Sequence, residues 1–183
     1  MDTMDAGTSL LVLVDYQARL MPAIHDAQAV TARAVQLARA ARLLEIPVIG
    51  TQQNPQGLGP NDVAVGALCD ATVTKTHFDA CEDSLLQALR AARPGATQAV
   101  VAGCEAHVCM LQTALGLRRA GWRVWVVANA SGSRRATDHA AAMTRLQAAD
   151  ITVVTHEMVL FEWLHDCRHP RFRDVLAIVK AAD

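Results

Sequence analysis

Three residues that could act together on a carbonyl carbon are spread along this chain: Asp15, Lys75 and Cys109. A carboxylate can accept a proton, a thiolate can attack, and an ammonium can hold the negative charge that both carry. Only the thiolate is a nucleophile, so its stabilisation decides whether Cys109 is a reagent or a small buried apolar residue. Cys109 closes the segment Val100-Val101-Ala102-Gly103-Cys104-Glu105-Ala106-His107-Val108-Cys109, an apolar run, a glycine break and the start of a helical pattern. The unpaired N–H groups and positive dipole end of a helix start favour a thiolate. Taken singly, each residue has a plainer reading. An aspartate after a strand often only caps a turn, and a lone lysine there is commonly solvated.

Positioning three such groups needs a scaffold, and the chain alternates as one would. Apolar strand-like runs recur at 9–14, 47–51, 71–74, 98–102, 123–128 and 151–155. Helical stretches rich in Ala, Leu and Arg lie between most of them, at 26–44, 83–92, 107–120 and 137–149, with two more at 158–165 and 171–180. Several strand runs are apolar on both faces, the pattern of buried parallel strands. The alternation predicts a three-layer α/β/α sandwich around a six-stranded, mainly parallel, Rossmann-like sheet, in one domain over residues 1–183. Only 54–61, with its Gly, Pro and Asn, reads as an irregular loop. Open parallel sheets bind ligands beyond the carboxyl ends of their strands. Asp15 follows the first strand, Lys75 the third and Cys109 the fourth, so all three fall on that edge.

Composition narrows the classes. The 183 residues are 52% hydrophobic and 19% charged, with a net charge of −1. That balance suits a globular protein and offers no basic surface for nucleic acid or a membrane. No apolar run approaches the roughly 18 residues that span a bilayer, and the acidic N-terminus is unlike a secretory signal. Five cysteines without a CxxC spacing argue against a disulfide scaffold or zinc ribbon and for a reducing, cytoplasmic setting.

Three motifs then carry a resemblance. Leu11-Val12-Leu13-Val14-Asp15-Tyr16-Gln17, Val73-Thr74-Lys75-Thr76-His77-Phe78 and Gly103-Cys104-Glu105-Ala106-His107-Val108-Cys109 are similar, in that order, to the motifs of the isochorismatase-like cysteine hydrolases. The run 51–60 and the tail 165–170 resemble the isochorismatase domain-containing subgroup, and the likeness extends from about residue 8 to about residue 180. It implies that Cys109 attacks a small amide-like substrate, that Asp15 is the general base and that Lys75 holds charge. It also implies an oxyanion hole from the backbone N–H groups of Glu105 and Cys109, beside a non-proline cis peptide at Cys104–Glu105. Gln17, Asn54, Phe78 and His107, with Glu105 beside it, would form the substrate pocket, and the chain would assemble as a homo-oligomer, a dimer or tetramer.

Departures from the pattern are informative. Nicotinamidase-type relatives hold a metal with an Asp-x-His pair after the second strand. Here that stretch is Thr51-Gln52-Gln53-Asn54, and amides are poor zinc ligands, so no metal and no cofactor are expected. Isochorismatase itself cleaves a vinyl ether without a nucleophilic cysteine, so Cys109 argues for different chemistry. No histidine pair has a metal-ligand spacing, and Cys104 and Cys109 lack the spacing of a redox motif. His107, two residues before Cys109, reads as a cap or pocket residue. The Gly57–Gly59 run lacks the context of a nucleotide site, and 131–135 is either an anion-binding turn or a plain entry to the next helix. Three functions stay open: a metal-independent cysteine hydrolase of C–N bonds, a non-catalytic oligomeric binding member of that family, and a cofactor-dependent oxidoreductase on a similar fold.

Overall fold

The first strand, β1 (Ser9–Val14), reads Ser-Leu-Leu-Val-Leu-Val, and every residue of it is buried. A strand covered on both faces belongs in the middle of a sheet with helices on each side. The structure, a computed structural model describing residues 3–181, places it there. With β2 (Val48–Gln53), β3 (Ala71–Lys75), β4 (Gln98–Gly103), β5 (Arg123–Val127) and β6 (Thr152–Val154), it forms one sheet in the order β3-β2-β1-β4-β5-β6. Every neighbouring pair is parallel. The expected three-layer α/β/α sandwich is found, with its sheet wholly parallel.

The two-residue alternation of β1 divides the core. Leu11 and Leu13 pack with Ala34, Leu37 and Ala41 of α1 (Ala27–Leu43) and with Val159, Leu160 and Trp163 of α7 (His156–Leu164). Val175 of α8 (Phe172–Lys180) joins that side. Leu10, Val12 and Val14 pack on the other side with Leu85 and Leu89 of α4 (Leu85–Ala92), Ala114 and Leu117 of α5 (Leu111–Arg119), and Leu146 of α6 (Ala136–Ala148). Burial at 34, 37, 38 and 41 on α1 is the i, i+3, i+4, i+7 stripe of an amphipathic helix.

Two local departures bear on the site. β2 runs two residues beyond the expected 47–51, so Gln52 and Gln53 are strand residues. The stretch expected to be an irregular loop opens with one helical turn, α2 (Pro55–Leu58), with proline at its first position, and α3 (Val63–Gly66) follows. The helix expected over 107–120 is in two parts, a π-helical turn Ala106–Met110 and then α5.

The chain leaves β1 toward β2 and β4 toward β5, in opposite directions, so their carboxyl ends form the switch-point crevice of an open α/β sheet. Gly103 closes β4 there. A Cβ on it would lie 2.3 Å from the carbonyl oxygen of Val14 and 2.5 Å from the Val14 Cβ. Only glycine allows the two backbones to approach this closely.

Candidate active site

Asp15 leaves β1 in a left-handed conformation, φ 53°, which short polar side chains tolerate best among non-glycine residues. Its side chain is wholly buried. Thr51 Oγ1 donates to Asp15 Oδ1 at 2.6 Å, and Lys75 Nζ lies 2.8 Å from Asp15 Oδ2. Lys75, the last residue of β3, is separated from β1 by β2 and reaches across it. Its ammonium also donates to Gln53 Oε1 at 2.6 Å and to the carbonyls of His77 and Phe78 at 3.3 and 3.4 Å. Thr51 and Gln53 stand two apart on β2, on one face, one bonded to each member of the pair. Removing two ions from water costs several kcal/mol each, and only such dense pairing offsets it. Thr51 and Gln53 were missed in the sequence. The available signal was a hydroxyl and an amide at i and i+2 closing an apolar strand.

Cys109 lies in the π-helical turn and is 7% exposed. Asp15 and Lys75 both act on the ionisation of its thiol, in opposite senses. Burial, followed by the charge of Asp15, pushes it up to about 12, while Lys75 pulls it down. The helix start and the ammonium therefore do not make a standing thiolate. At neutral pH Cys109 is a thiol beside a carboxylate, and attack requires its proton to leave in the same step. All five cysteines are free. Burial raises Cys69 to about 11 and Cys104 to about 12, and raises Cys81 further still.

The other expected residues are placed as follows. The Cys104–Glu105 peptide is cis, as the resemblance implied. The Glu105 carboxylate accepts from the backbone N–H and Nε of Arg134, at 3.0 and 3.1 Å. That ties the turn at 131–135 to the loop that carries Cys109. Gln17 is fully buried, and its amide is committed to backbone. Nε2 donates to the carbonyls of Gln53 and Gly59, and Oε1 accepts from the Gln53 N–H at 2.9 Å. It fastens the loop after β2 and is not a free pocket arm. Asn54 is exposed, donates its N–H to the Lys75 carbonyl at 3.0 Å and begins α2. Phe78 is 52% exposed, so in the single chain it is no buried wall, and its carbonyl is what faces Lys75. His107 is half-buried with Nδ1 2.9 Å from Ser133 Oγ. Ser133 also lines a cleft of about 180 Å³ with His25, Arg33, Asn129 and His139, and none of the three central residues is on its wall. Among the described residues, no group of three or more His, Cys, Asp or Glu is placed to hold a metal ion. No helix there is long and apolar enough to cross a membrane.

The chain has relatives. The zebrafish isochorismatase domain-containing protein 2 is 35% identical over 91% of this chain and 84% of its own. Mouse isochorismatase domain-containing protein 2A is 32% identical over 94% and 83%. Among solved structures, the MAR1 ribonuclease of Caenorhabditis elegans superposes with a TM-score of 0.91 at 28% identity, covering 98% of this chain and 93% of that one. The family model of the isochorismatase domain matches residues 9–158, and with that match the chain belongs to the isochorismatase domain family, a family of hydrolases.

Proposed function

We propose that this chain is a metal-independent cysteine hydrolase of small C–N compounds, amides or ureido compounds, working without a cofactor as a cytoplasmic homo-oligomer. The observation that carries the reading is the buried Asp15–Lys75 pair, 2.8 Å apart, whose two charges act in opposite senses on the buried Cys109 thiol. Structural packing alone gives no reason to bury two charges and a thiol at the crevice of the sheet, whereas hydrolysis uses each of them.

The steps balance on these residues. Asp15 takes the thiol proton as Cys109 Sγ bonds to the substrate carbonyl carbon. The backbone N–H groups of Glu105 and Cys109 receive the oxyanion, a role worth about 10²–10³ in rate per donor. The proton on Asp15 passes to the departing amine as the C–N bond breaks, leaving an acyl thioester. Water then attacks, Asp15 takes its proton, and the thiol is restored as the acid departs. Lys75 pairs with Asp15 and offsets negative charge as it develops. His107, Phe78 and Asn54 are the residues that would meet the rest of the substrate.

A non-catalytic binding member of the family is the second reading, favoured by the depth of Cys109 and its protonated thiol. Assaying ammonia release across a panel of small amides and ureas, with Cys109→Ala beside the native chain, separates the two. Turnover that Cys109→Ala abolishes, with an acyl adduct on Cys109 by intact mass, is expected. Thermal shifts from the same compounds without hydrolysis would give the binding reading. A labelled RNA belongs in the panel, because the nematode neighbour is named a ribonuclease. The net charge of −1 opposes that activity, and RNA cleavage lost in Cys109→Ala would overturn the C–N assignment.

A further inference from the structure

The nucleophile and the ammonium sit on elements that do not adjoin in the sheet. Cys109 precedes α5 and Lys75 ends β3, with β2 and β1 lying between β3 and β4. Something must fix the spacing between them, and the structure supplies it on α5. Thr113, wholly buried, lies four residues beyond Cys109. Its Oγ1 accepts from the Ala80 N–H at 3.1 Å and donates to the Phe78 carbonyl at 3.4 Å. The Phe78 carbonyl is also an acceptor for Lys75 Nζ. One carbonyl is thus shared by the ammonium and by a hydroxyl on the nucleophile's own helix.

Three residues further on, Gly116 makes the same contact from a second point. A Cβ there would lie 2.4 Å from both carboxylate oxygens of Asp79, so only glycine admits that side chain against α5. Asp79 caps the Cys81 N–H at 2.9 Å and pairs with Arg119, also of α5, at 2.7 Å. The segment 78–81 is therefore fastened to α5 through Thr113, Gly116 and Arg119, while its Phe78 carbonyl and that of His77 just before it cradle Lys75.

We infer that Thr113 is a positioning residue, the tie that holds the Lys75 ammonium at working distance from the Cys109 sulfur by way of the Phe78 carbonyl. This rests on reading Cys109 as the nucleophile. Valine at 113 keeps the shape and removes the hydroxyl, leaving the Ala80 N–H and the Phe78 carbonyl without it. The carbonyl then turns away, and the ammonium, still paired with Asp15 and Gln53, shifts with it away from the sulfur.

The test is the rate at which iodoacetamide alkylates Cys109 between about pH 8 and 10, where thiolate fraction sets the rate. Peptide mass spectrometry reads Cys104 and Cys167 in the same sample. Thr113→Val is expected to slow Cys109 about tenfold at each pH, the effect of a thiol pKa raised by one unit as the ammonium withdraws. Thr113→Ser keeps the hydroxyl and should stay within about twofold of the native rate. A merely structural role would loosen the site and speed alkylation. Native or faster alkylation of Cys109 in a Thr113→Val protein whose Cys104 stays protected would overturn the inference. Should Thr113→Val unfold, seen as alkylation of Cys104, Gly116→Ala takes its place, since its Cβ displaces Asp79 from α5. Slower Cys109 alkylation in that variant supports the tie, and an unchanged or faster rate refutes it. The variant ratios are read whether or not any amide is hydrolysed, so a chain without turnover sinks the hydrolase reading on its own.

Discussion

Asp15 acts on Cys109 in two opposed ways. Its charge, second only to burial, holds the thiol protonated, and its position makes it the acceptor when that proton leaves. Asp15→Asn should therefore separate reactivity from catalysis. Without the carboxylate, the ammonium of Lys75 acts on the sulfur unopposed, so Cys109 ionises at lower pH and alkylates faster at any pH below about 12. Turnover of an amide should nevertheless fall by about 10²–10⁴, because no general base remains. Alkylation rate and turnover measured on one preparation check this, and parallel changes would remove Asp15 from the base role. Lys75→Met tests the pair from the other side. It leaves the Asp15 carboxylate buried with only the Thr51 hydroxyl, and breaking a buried pair from one partner costs about 3–5 kcal/mol. The double variant Asp15→Asn, Lys75→Met should recover part of that loss in urea unfolding, and strictly additive losses would count against direct pairing.

Strands and helices are legible wherever their faces alternate cleanly, and the site is legible wherever a single residue type carries it. Asp15, Lys75 and Cys109 were visible because acid, amine and thiol each follow an apolar run. β2 reads short in the sequence because its apolar run ends before the polar Gln52 and Gln53. Pairing with Thr74 and Lys75 of β3 extends it, and that partnership is absent from local sequence. The π-helical turn was hidden because one added residue barely disturbs a 3.6-residue pattern. Gln17 reads locally as a pocket amide, since nothing nearby in the chain shows that its three bonds go to backbone 36 and 42 residues away. The same holds for Glu105 and Arg134, 29 residues apart. Gly103 is where an element boundary becomes chemistry, because it lets β4 close on β1 and sets the nucleophile loop beside Asp15. Gly103→Ala should cost about 1–3 kcal/mol as its Cβ meets the Val14 carbonyl, and should lower kcat more than it raises KM. A shift confined to KM would place the strain outside the reacting groups.

At the scale of the whole molecule, several protons are held in the fold by burial. Cys69 lies after α3, Cys104 after β4 and Cys109 in the π-helical turn, and burial is the first cause of the raised pKa in each. Tyr16, fully buried with its hydroxyl donating to the Ala130 carbonyl at 2.5 Å, is raised well above its ordinary 10.0 for the same reason. In the unfolded chain these thiols titrate near 9.0, the reference value from which all three are raised. Between that pH and about 11–12 the folded state therefore keeps protons that the unfolded state has lost. Stability falls with rising pH wherever the native state binds more protons, so these groups add stability below about pH 9 and lose it progressively above. The urea midpoint should hold level up to that pH and then decline steadily through the alkaline range. Cys104→Ala removes one of the deepest contributors and should flatten the decline, whatever packing it forfeits at neutral pH. The slope, unlike the neutral-pH midpoint, reports protons and not cavities, so an identical alkaline slope in the variant would show that the Cys104 proton is not held by the fold.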